Sequence, residues 1–245
     1  MASEQQGSKQ QKSSKRRKTA YHHGDLRQAL INEAVDIIAS KDVGGLSLRE
    51  VARRLNVSYA APYHHFEDKT ALLAAVATEG FHKMAAVMDR QMQVFENERR
   101  QRDDDCSSAA SGTTEYSQTI ALDRLAALGI GYVSFAAEHP SHYRVMFRDE
   151  YGEPEDFPEL QRAREMCFGR LLQAVAEARQ CAVDAEESFR YALVAWSTVH
   201  GLATLWNDGA LRKKYGGQDV QGLAHWITDR LGVAIGDGIC AGGST

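Results

Sequence analysis

Apolar side chains recur every three or four residues in two segments near the start of the chain, which is the spacing of an amphipathic helix. The first segment predicts a helix over 25–40, and the apolar positions that it would bury are Leu30, Ala34, Ile37 and Ile38. The second predicts a shorter helix after Ser47, with an apolar stripe made of Leu48, Val51, Ala52 and Leu55. The pattern therefore indicates a helical N-terminal region.

Polar residues mark a sharp turn after the second stripe. Ser47 and Glu50 have the spacing of a capping box, in which the hydroxyl and the carboxylate each accept from a free amide at the helix start. Asn56 tolerates the left-handed backbone where the helix must stop, and Ser58 is placed to cap a following helix that carries residues up to His65. This arrangement predicts a helix-turn-helix, whose second helix reads the DNA major groove. An ordinary corner of two helices with solvated arginines is the alternative.

The rest of the chain has helical periodicity and no alternating strand pattern, so the predicted fold class is all-α. A fourth helix is predicted over 68–95, and the charged and small residues at 97–118 predict a flexible loop. No run of eighteen apolar residues exists, so no membrane span is predicted. The remaining predicted helices are 119–138, 141–148, 157–181, 185–207 and 218–234.

Charge is distributed unevenly along the chain. The net charge is −4, but residues 1–70 hold 12 Lys or Arg against 8 Asp or Glu, which leaves the remainder at −8. Residues 1–20 predict a disordered basic arm, which is either a DNA-contacting arm or a solubilising tail. A basic end on an acidic body directs nucleic acid towards the N-terminal region. Residues 236–245 predict a loose tail.

Motifs for metal binding and catalysis are missing from the sequence. The four cysteines have no metal-ligand spacing and predict reduced thiols in a cytoplasmic protein. The adjacent His22 and His23 lack a third ligand. No Gly-rich phosphate loop, Gly-x-Ser-x-Gly elbow or His-Glu-x-x-His pair occurs, so we predict no catalytic residues, no metal and no cofactor. A helical protein–protein adaptor and an all-helical enzyme are the alternatives to a DNA-binding protein.

Residues 24–73 resemble the DNA-binding domain of the TetR family of bacterial transcription regulators. Pro62 stands where the family usually has Leu, Ile or Val in the recognition helix, and Asn56 replaces a common glycine. Because Pro62 falls in the first turn, where a missing amide costs little, the helix is still predicted to form. The resemblance rests on Gly45-Leu46-Ser47, Asn56-Val57-Ser58, Tyr63-His64-His65-Phe66, Asp68-Lys69 and Ala71-Leu72-Leu73.

The resemblance implies a helix-turn-helix domain at 21–67 and a helical regulatory and dimerisation domain at 68–235. It implies a homodimeric bacterial repressor that binds a near-palindromic double-stranded DNA operator and leaves it when a small-molecule effector binds. Arg49 suits paired hydrogen bonds to guanine. Lys69 is a cation at a helix start, which is unfavourable and predicts a partner such as a DNA phosphate. The residues that the resemblance places on DNA are Arg49, Ser58, Tyr59, Ala60, Ala61, Tyr63, His64 and Lys69.

Apolar residues cover a wide arc of the segment 189–211, so this helix is predicted to be buried on two sides. Trp196, His200 and Gly201 resemble a subgroup of the family whose C-terminal domain carries a Trp-His-Gly pattern. In the family, the last two long helices pair with their copies in the dimer, and small molecules bind between the helices. His200 is interpreted either as a core histidine or as a ligand contact. The candidates for the effector site, expected within 119–211, are Tyr132, Phe135, Tyr143, Met146, Phe147, Met166, Phe168, Trp196 and His200.

Overall fold

The computed structural model describes residues 23–105, 114–151, 153–214 and 219–237, and within these ranges it contains helices and no strand. The predicted all-α class is confirmed. Three short 3₁₀ helices, Val43–Gly45, Ala61–His64 and Pro154–Asp156, join longer elements. The α-helices are α1 His23–Lys41, α2 Leu48–Leu55, α3 Lys69–Asp105, α4 Thr114–Glu138, α5 Pro140–Met146, α6 Pro158–Arg179, α7 Glu186–Asn207, α8 Ala210–Lys214 and α9 Val220–Asp237.

The turn after α2 forms largely as its sequence predicts. The Ser47 hydroxyl accepts from the Glu50 amide at 3.2 Å, and Asn56 ends the helix in the left-handed region with φ 55°. Only half of the predicted capping box forms, because the Glu50 carboxylate binds the Arg53 guanidinium instead of reaching back to the start of the helix. The apolar stripes of α1 and α2 pack together in a core that includes Phe66.

The prediction of an α-helix after Ser58 is wrong, because the structure has a single turn of 3₁₀ helix over Ala61–His64. Pro62 has no N–H to donate to the Ser58 carbonyl, four residues earlier. That carbonyl instead accepts from the Ala61 amide at 3.0 Å, and the Tyr63 amide bonds to the Ala60 carbonyl at 3.1 Å. These three-residue spacings define a 3₁₀ helix, and proline also disfavours the α conformation for the residue before it.

Helix α3 is longer than predicted, and the predicted loop at 97–118 is wrong at both ends. The chain stays helical to Asp105 and is helical again from Thr114, so only 106–113 lies outside the described residues. Ion pairs support the charged extension: Arg99 bonds to Asp103 at 2.6 Å, and Arg124 of α4 bonds to Glu96 at 2.6 Å. The segment has a composition that is typical of a loop, but its charged side chains form ion pairs within α3 and between α3 and α4.

Helix α4 is the centre of the C-terminal bundle, with α3, α6, α7 and α9 packed around it. The short α5 lies against α3 and also touches α1. Gly80 permits this close approach, since a Cβ at that position would lie 2.7 Å from the Met146 sulfur. Helix α8 was not predicted, and α9 continues to Asp237, into the predicted tail. The predicted basic arm at 1–20 and residues 238–245 lie outside the described residues.

Two helices in the described part of the chain, α3 and α4, are long and apolar enough to cross a membrane by length and composition. In each, 61% of the most apolar window is buried inside the structure. Their apolar faces are therefore largely used in packing the bundle core, as in the core helices of many water-soluble folds.

Candidate nucleic-acid interface and interior cavity

The 3₁₀ turn and the start of α2 present a surface of exposed side chains. Tyr59 and Tyr63 are 59% and 51% exposed, which is unusual for aromatic residues in a small domain. Arg49, Ser58, Ala60 and His64 are also exposed, and Ala61 is half-buried. Phe66 and Pro62 face the core instead. The structure therefore brings the residues predicted to bind DNA, apart from Lys69, onto an accessible turn and the helix before it.

The positive charges of α2 differ in what they contact. Arg53 pairs with Glu50 at 2.7 Å, and Arg54 pairs with Glu33 of α1 at 3.1 Å. The guanidinium of Arg53, helped by the ammonium of Lys41, holds the pKa of the Glu50 carboxyl well below its usual range. Arg49 has no ion-pair partner among the residues described. It is therefore the arginine of α2 whose donors are available to another molecule.

Lys69 has a partner within the chain, so its place at a helix start does not by itself indicate a DNA phosphate. Its ammonium donates to the Val43 carbonyl at 2.9 Å and ties the start of α3 to the turn after α1. The adjacent Asp68 caps α3 by accepting from the Ala71 amide at 2.8 Å, which offsets an unfavourable cation at the helix start. Contact between Lys69 and a DNA phosphate stays a prediction.

The C-terminal domain contains a cavity of about 800 Å³ between α3, α4, α5, α6, α7 and α9. Most of its wall is apolar, with a high proportion of aromatic rings. Of the nine predicted effector-site residues, the six that line it are Tyr132, Met146, Phe147, Phe168, Trp196 and His200.

Three predicted candidates do not line the cavity. Phe135 is fully buried in the core, and Met166 packs against the core from a half-buried position. Tyr143 stands behind the wall, where its hydroxyl lies 2.9 Å from His200 Nδ1 and 3.2 Å from the Thr204 hydroxyl.

Several lining residues were not predicted. Phe81, Met84 and Met88 of α3 line the cavity, and the sequence could not show this because a helical apolar stripe looks the same whether it faces side chains or an open volume. Arg148 and Arg164 also border the cavity. Arg148 bonds to Glu150 at 2.9 Å, and Arg164 donates to the Met146 carbonyl at 3.5 Å. The sequence shows that these two residues are charged, but it could not predict that they lie beside the cavity.

His200 has one ring nitrogen in a hydrogen-bond network and its ring on the cavity wall. The Tyr132 hydroxyl lies 2.7 Å from Nδ1, and the Tyr143 hydroxyl lies 2.9 Å from the same atom. Burial lowers the pKa of His200 and raises the pKa of both tyrosines, so the imidazole and the phenols are neutral at pH 7. The two interpretations of His200 as core residue and as cavity residue are therefore compatible.

Helices α7 and α9 leave apolar side chains exposed in the single chain. Trp226 of α9 is 65% exposed, and Val194 and Leu205 of α7 are about half exposed. Trp206 of α7 is half-buried and packs against the core. A Cβ on Gly201 would meet nothing within 4 Å, so this glycine has room beside it for another helix. Exposed aromatic and branched residues on two helices are typical of an oligomer interface.

Two family models match the chain. One, described as bacterial regulatory proteins of the tetR family, matches residues 30–76, and the other, a tetracyclin repressor-like C-terminal domain, matches residues 125–231. Over 68 residues the chain is 32% identical to two proteins of Pseudomonas putida, the HTH-type transcriptional regulator SrpR and the uncharacterized HTH-type transcriptional regulator TtgW. That segment is 28% of this chain and spans 32% and 51% of the two relatives.

Solved structures match over most of the chain. A protein of unknown function from Rhodococcus sp. RHA1 is 30% identical with a TM-score of 0.63, over 89% of this chain and 98% of its own. PfmR from Thermus thermophilus, a TetR family regulator, is 14% identical with a TM-score of 0.56, over 82% and 96%. FadR from Bacillus subtilis in complex with stearoyl-CoA is 15% identical with a TM-score of 0.56, over 83% and 96%. The last two likenesses show a shared fold.

Proposed function

Because the chain belongs to the TetR family of bacterial regulatory proteins, a family of DNA-binding transcription regulators, we propose that it is a repressor that a small molecule releases from its operator. The observation that carries the proposal is the pairing of two separate sites in one chain. An exposed helix-turn-helix surface lies at one end, and a large apolar cavity lies in the other domain. This pairing favours a regulator over an adaptor or an enzyme, since neither alternative needs both sites.

On DNA, the guanidinium of Arg49, which has no ion-pair partner among the described residues, reaches a base edge in the major groove. Ala60 and Ala61 offer apolar contacts, for example to a thymine methyl, and Tyr59 completes the base-facing set. The side chains predicted to face the phosphate backbone, which position the protein without reading sequence, are Ser58, Tyr63, His64 and Lys69.

The operator is a near-palindrome bound by a homodimer. One short reading turn touches too few bases to select a site in a genome, so two copies are needed. The exposed apolar face of α7 and α9 supplies the surface for pairing, with Trp226 as its most exposed member. The half-sites are then spaced by about 34 Å or a multiple of it along the duplex. The protein acts inside the bacterial cell, on the nucleoid.

Helix α5 connects the cavity to the DNA-binding domain. Met146, at its end, lines the cavity. Arg144 pairs with Asp42 in the turn after α1 at 3.5 Å. A ligand that pushes on this end of α5 therefore changes how the two reading turns are held, and the dimer loses its match to the groove spacing. Coupling of this kind is typically about 1–3 kcal/mol, or a 5- to 150-fold loss of operator affinity.

Selection of bound duplexes from a random library tests the DNA-binding half of the proposal. We expect the wild-type protein to enrich a near-palindrome. Arg49→Ala should relax base preference at one position in each half-site and cost about 1–3 kcal/mol of specific binding.

Arg162→Ala is the matched control, because Arg162 is an exposed arginine of α6, outside the DNA-binding domain. Equal binding of all duplexes by the wild-type protein would contradict operator recognition. Equal effects of the two substitutions would contradict base reading by Arg49.

A further inference from the structure

We propose that His200 determines the ligand specificity of the cavity by donating a hydrogen bond from Nε2 to an oxygen of an otherwise apolar, ring-containing molecule. The inference rests on the proposed function, in which this cavity holds the effector. It adds the chemical class of that effector, a neutral molecule with aromatic rings and a carbonyl or ether oxygen.

The surroundings of His200 set which ring nitrogen carries the proton. Two tyrosine hydroxyls converge on Nδ1, from Tyr132 at 2.7 Å and from Tyr143 at 2.9 Å. Tyr143 has two further acceptors, the His200 carbonyl at 3.3 Å and the Thr204 hydroxyl at 3.2 Å, but the Tyr132 phenol is buried and needs an acceptor. The single Nδ1 lone pair provides one, and a proton on Nδ1 would remove it. With Nδ1 accepting from Tyr132, the neutral imidazole carries its proton on Nε2.

The Nε2 atom has no hydrogen-bond partner among the described residues, yet it is not sealed in the protein interior. The buried side-chain nitrogens and oxygens of the described chain all have partners except Nε of Arg148. An unpartnered His200 Nε2 is therefore in contact with open volume, and the residue lines the cavity. Its N–H is a fixed donor in a largely apolar wall, and a ligand that covers it with an acceptor binds better than one that covers it with an apolar group.

The rings around His200 define the rest of the ligand. The Phe147 ring meets the imidazole edge-on, with centroids 4.8 Å apart, and Trp196 lies 5.9 Å from it. Phe168 continues this wall at 6.0 Å from Trp196. This wall of rings offers edges and faces against which the rings of a ligand can pack.

The arginines at the cavity border do not favour an anion instead. Arg148 pairs with Glu150 at 2.9 Å through Nη2, although its buried Nε has no partner among the described residues, and Asp149 adds a further carboxylate to the lining. Arg164 donates to the Met146 carbonyl at the end of α5 and stacks over the Tyr151 ring, 5.3 Å from its centroid. A neutral ligand with one acceptor therefore fits the wall better than a carboxylate or a phosphate does.

Two probes that differ at one group test the inference on the full-length protein. Benzophenone has a carbonyl between two rings, and diphenylmethane has a methylene there. In calorimetric titrations, His200→Phe should weaken benzophenone binding about 5-fold more than diphenylmethane binding, because one hydrogen bond is lost. Met88→Leu, which changes the wall without touching a donor, should affect both probes alike.

A second measurement needs no substitution. In nitrogen-15 NMR of the wild-type imidazoles at pH 7, His200 should be protonated at Nε2 and unprotonated at Nδ1. Benzophenone should shift this Nε2–H signal, and diphenylmethane should leave it nearly unchanged.

The outcomes separate the inference from the proposed function. Equal losses for the two probes in His200→Phe, or a proton found on Nδ1, would overturn the role of His200 and leave the cavity as an effector site. Tighter binding of dodecanoate than of benzophenone would overturn the neutral ligand class. If neither ring probe binds, the inference fails, and the cavity's assignment as an effector site fails with it only if dodecanoate does not bind either.

Discussion

Arg49 and Lys69 are both cations of the DNA-binding domain, but they differ in what they contact. Arg49 is exposed and unpaired among the described residues, whereas Lys69 is half-buried and bonds to the Val43 carbonyl. The sequence is enough to predict a cap at Ser47 and a left-handed Asn56, because both depend on neighbouring residues. It could not predict the partner of Lys69, which lies 26 positions away and becomes a neighbour only when the domain folds.

Replacement of Lys69 is expected to affect folding as well as DNA binding. Lys69→Ala leaves the Val43 carbonyl without its charged donor, so we expect it to cost about 1–2 kcal/mol in urea unfolding. It should also weaken binding to all duplexes nearly alike and reduce the salt slope by about one unit.

Lys213→Ala, at an exposed lysine of α8, is the control and should leave both measurements unchanged. Unaltered stability in Lys69→Ala would show that the Val43 contact contributes nothing to folding.

The helices are the level at which the sequence is most informative, because each long helix has a continuous apolar stripe. Secondary structure predicted from the sequence is wrong where one residue or a distant partner overrides the local apolar pattern. Pro62 removes a single amide and turns the expected reading helix into a 3₁₀ turn. Glu96 and Asp103 bind arginines along and between two helices, so a segment with the composition of a loop stays helical.

The short α5 buries a histidine that gives the protein a pH-dependent stability. Burial, and the nearby charge of Lys83, lower the pKa of His142, while Glu79 opposes the shift from 3.3 Å. The unfolded chain therefore takes up this proton more readily than the folded chain does. Stability from neutral His142 is present above about pH 6.5 and is lost as the pH falls further.

We expect His142→Gln to lose less stability between pH 7 and pH 5 than the wild-type protein, in urea unfolding at matched ionic strength. The matched control is His82→Gln, since His82 is exposed on α3. A control and a variant with the same pH profile would show that His142 is not responsible for the acid sensitivity.

At the scale of the whole molecule, α7 and α9 expose an apolar face, and contacts within a single chain do not account for its exposure. The wide apolar arc of residues 189–211 predicted burial on two sides. One side packs in the bundle, whereas Val194 and Leu205 on the other remain exposed. A sequence reveals that a face is apolar, but which surface covers it depends on a second molecule.

Trp226→Glu should disrupt the homodimer. A carboxylate at the most exposed position of this face is costly to bury, so light scattering should show monomers at micromolar concentration. Operator affinity should also fall, because a monomer contacts only one half-site.

Val94→Glu is the control, since Val94 is 44% exposed but belongs to α3. A dimeric Trp226→Glu that still binds the operator would exclude this face as the interface.

Because α3 and α5 approach closely at Gly80, a substitution at this residue should have a genetic phenotype. A single methyl group there would collide with Met146 and press on His142, whose Cβ would be 3.2 Å away. Gly80→Ala should therefore move the Met146 side chain, which lines the cavity, and shift His142 of α5 by a few tenths of an ångström, as we propose that an effector does at this end of α5. In a reporter strain we expect the controlled promoter to stay on without any inducer, while Gly169→Ala, with open space around it on α6, should leave the promoter inducible. Inducer-independent alleles would then arise at a position that touches neither DNA nor ligand.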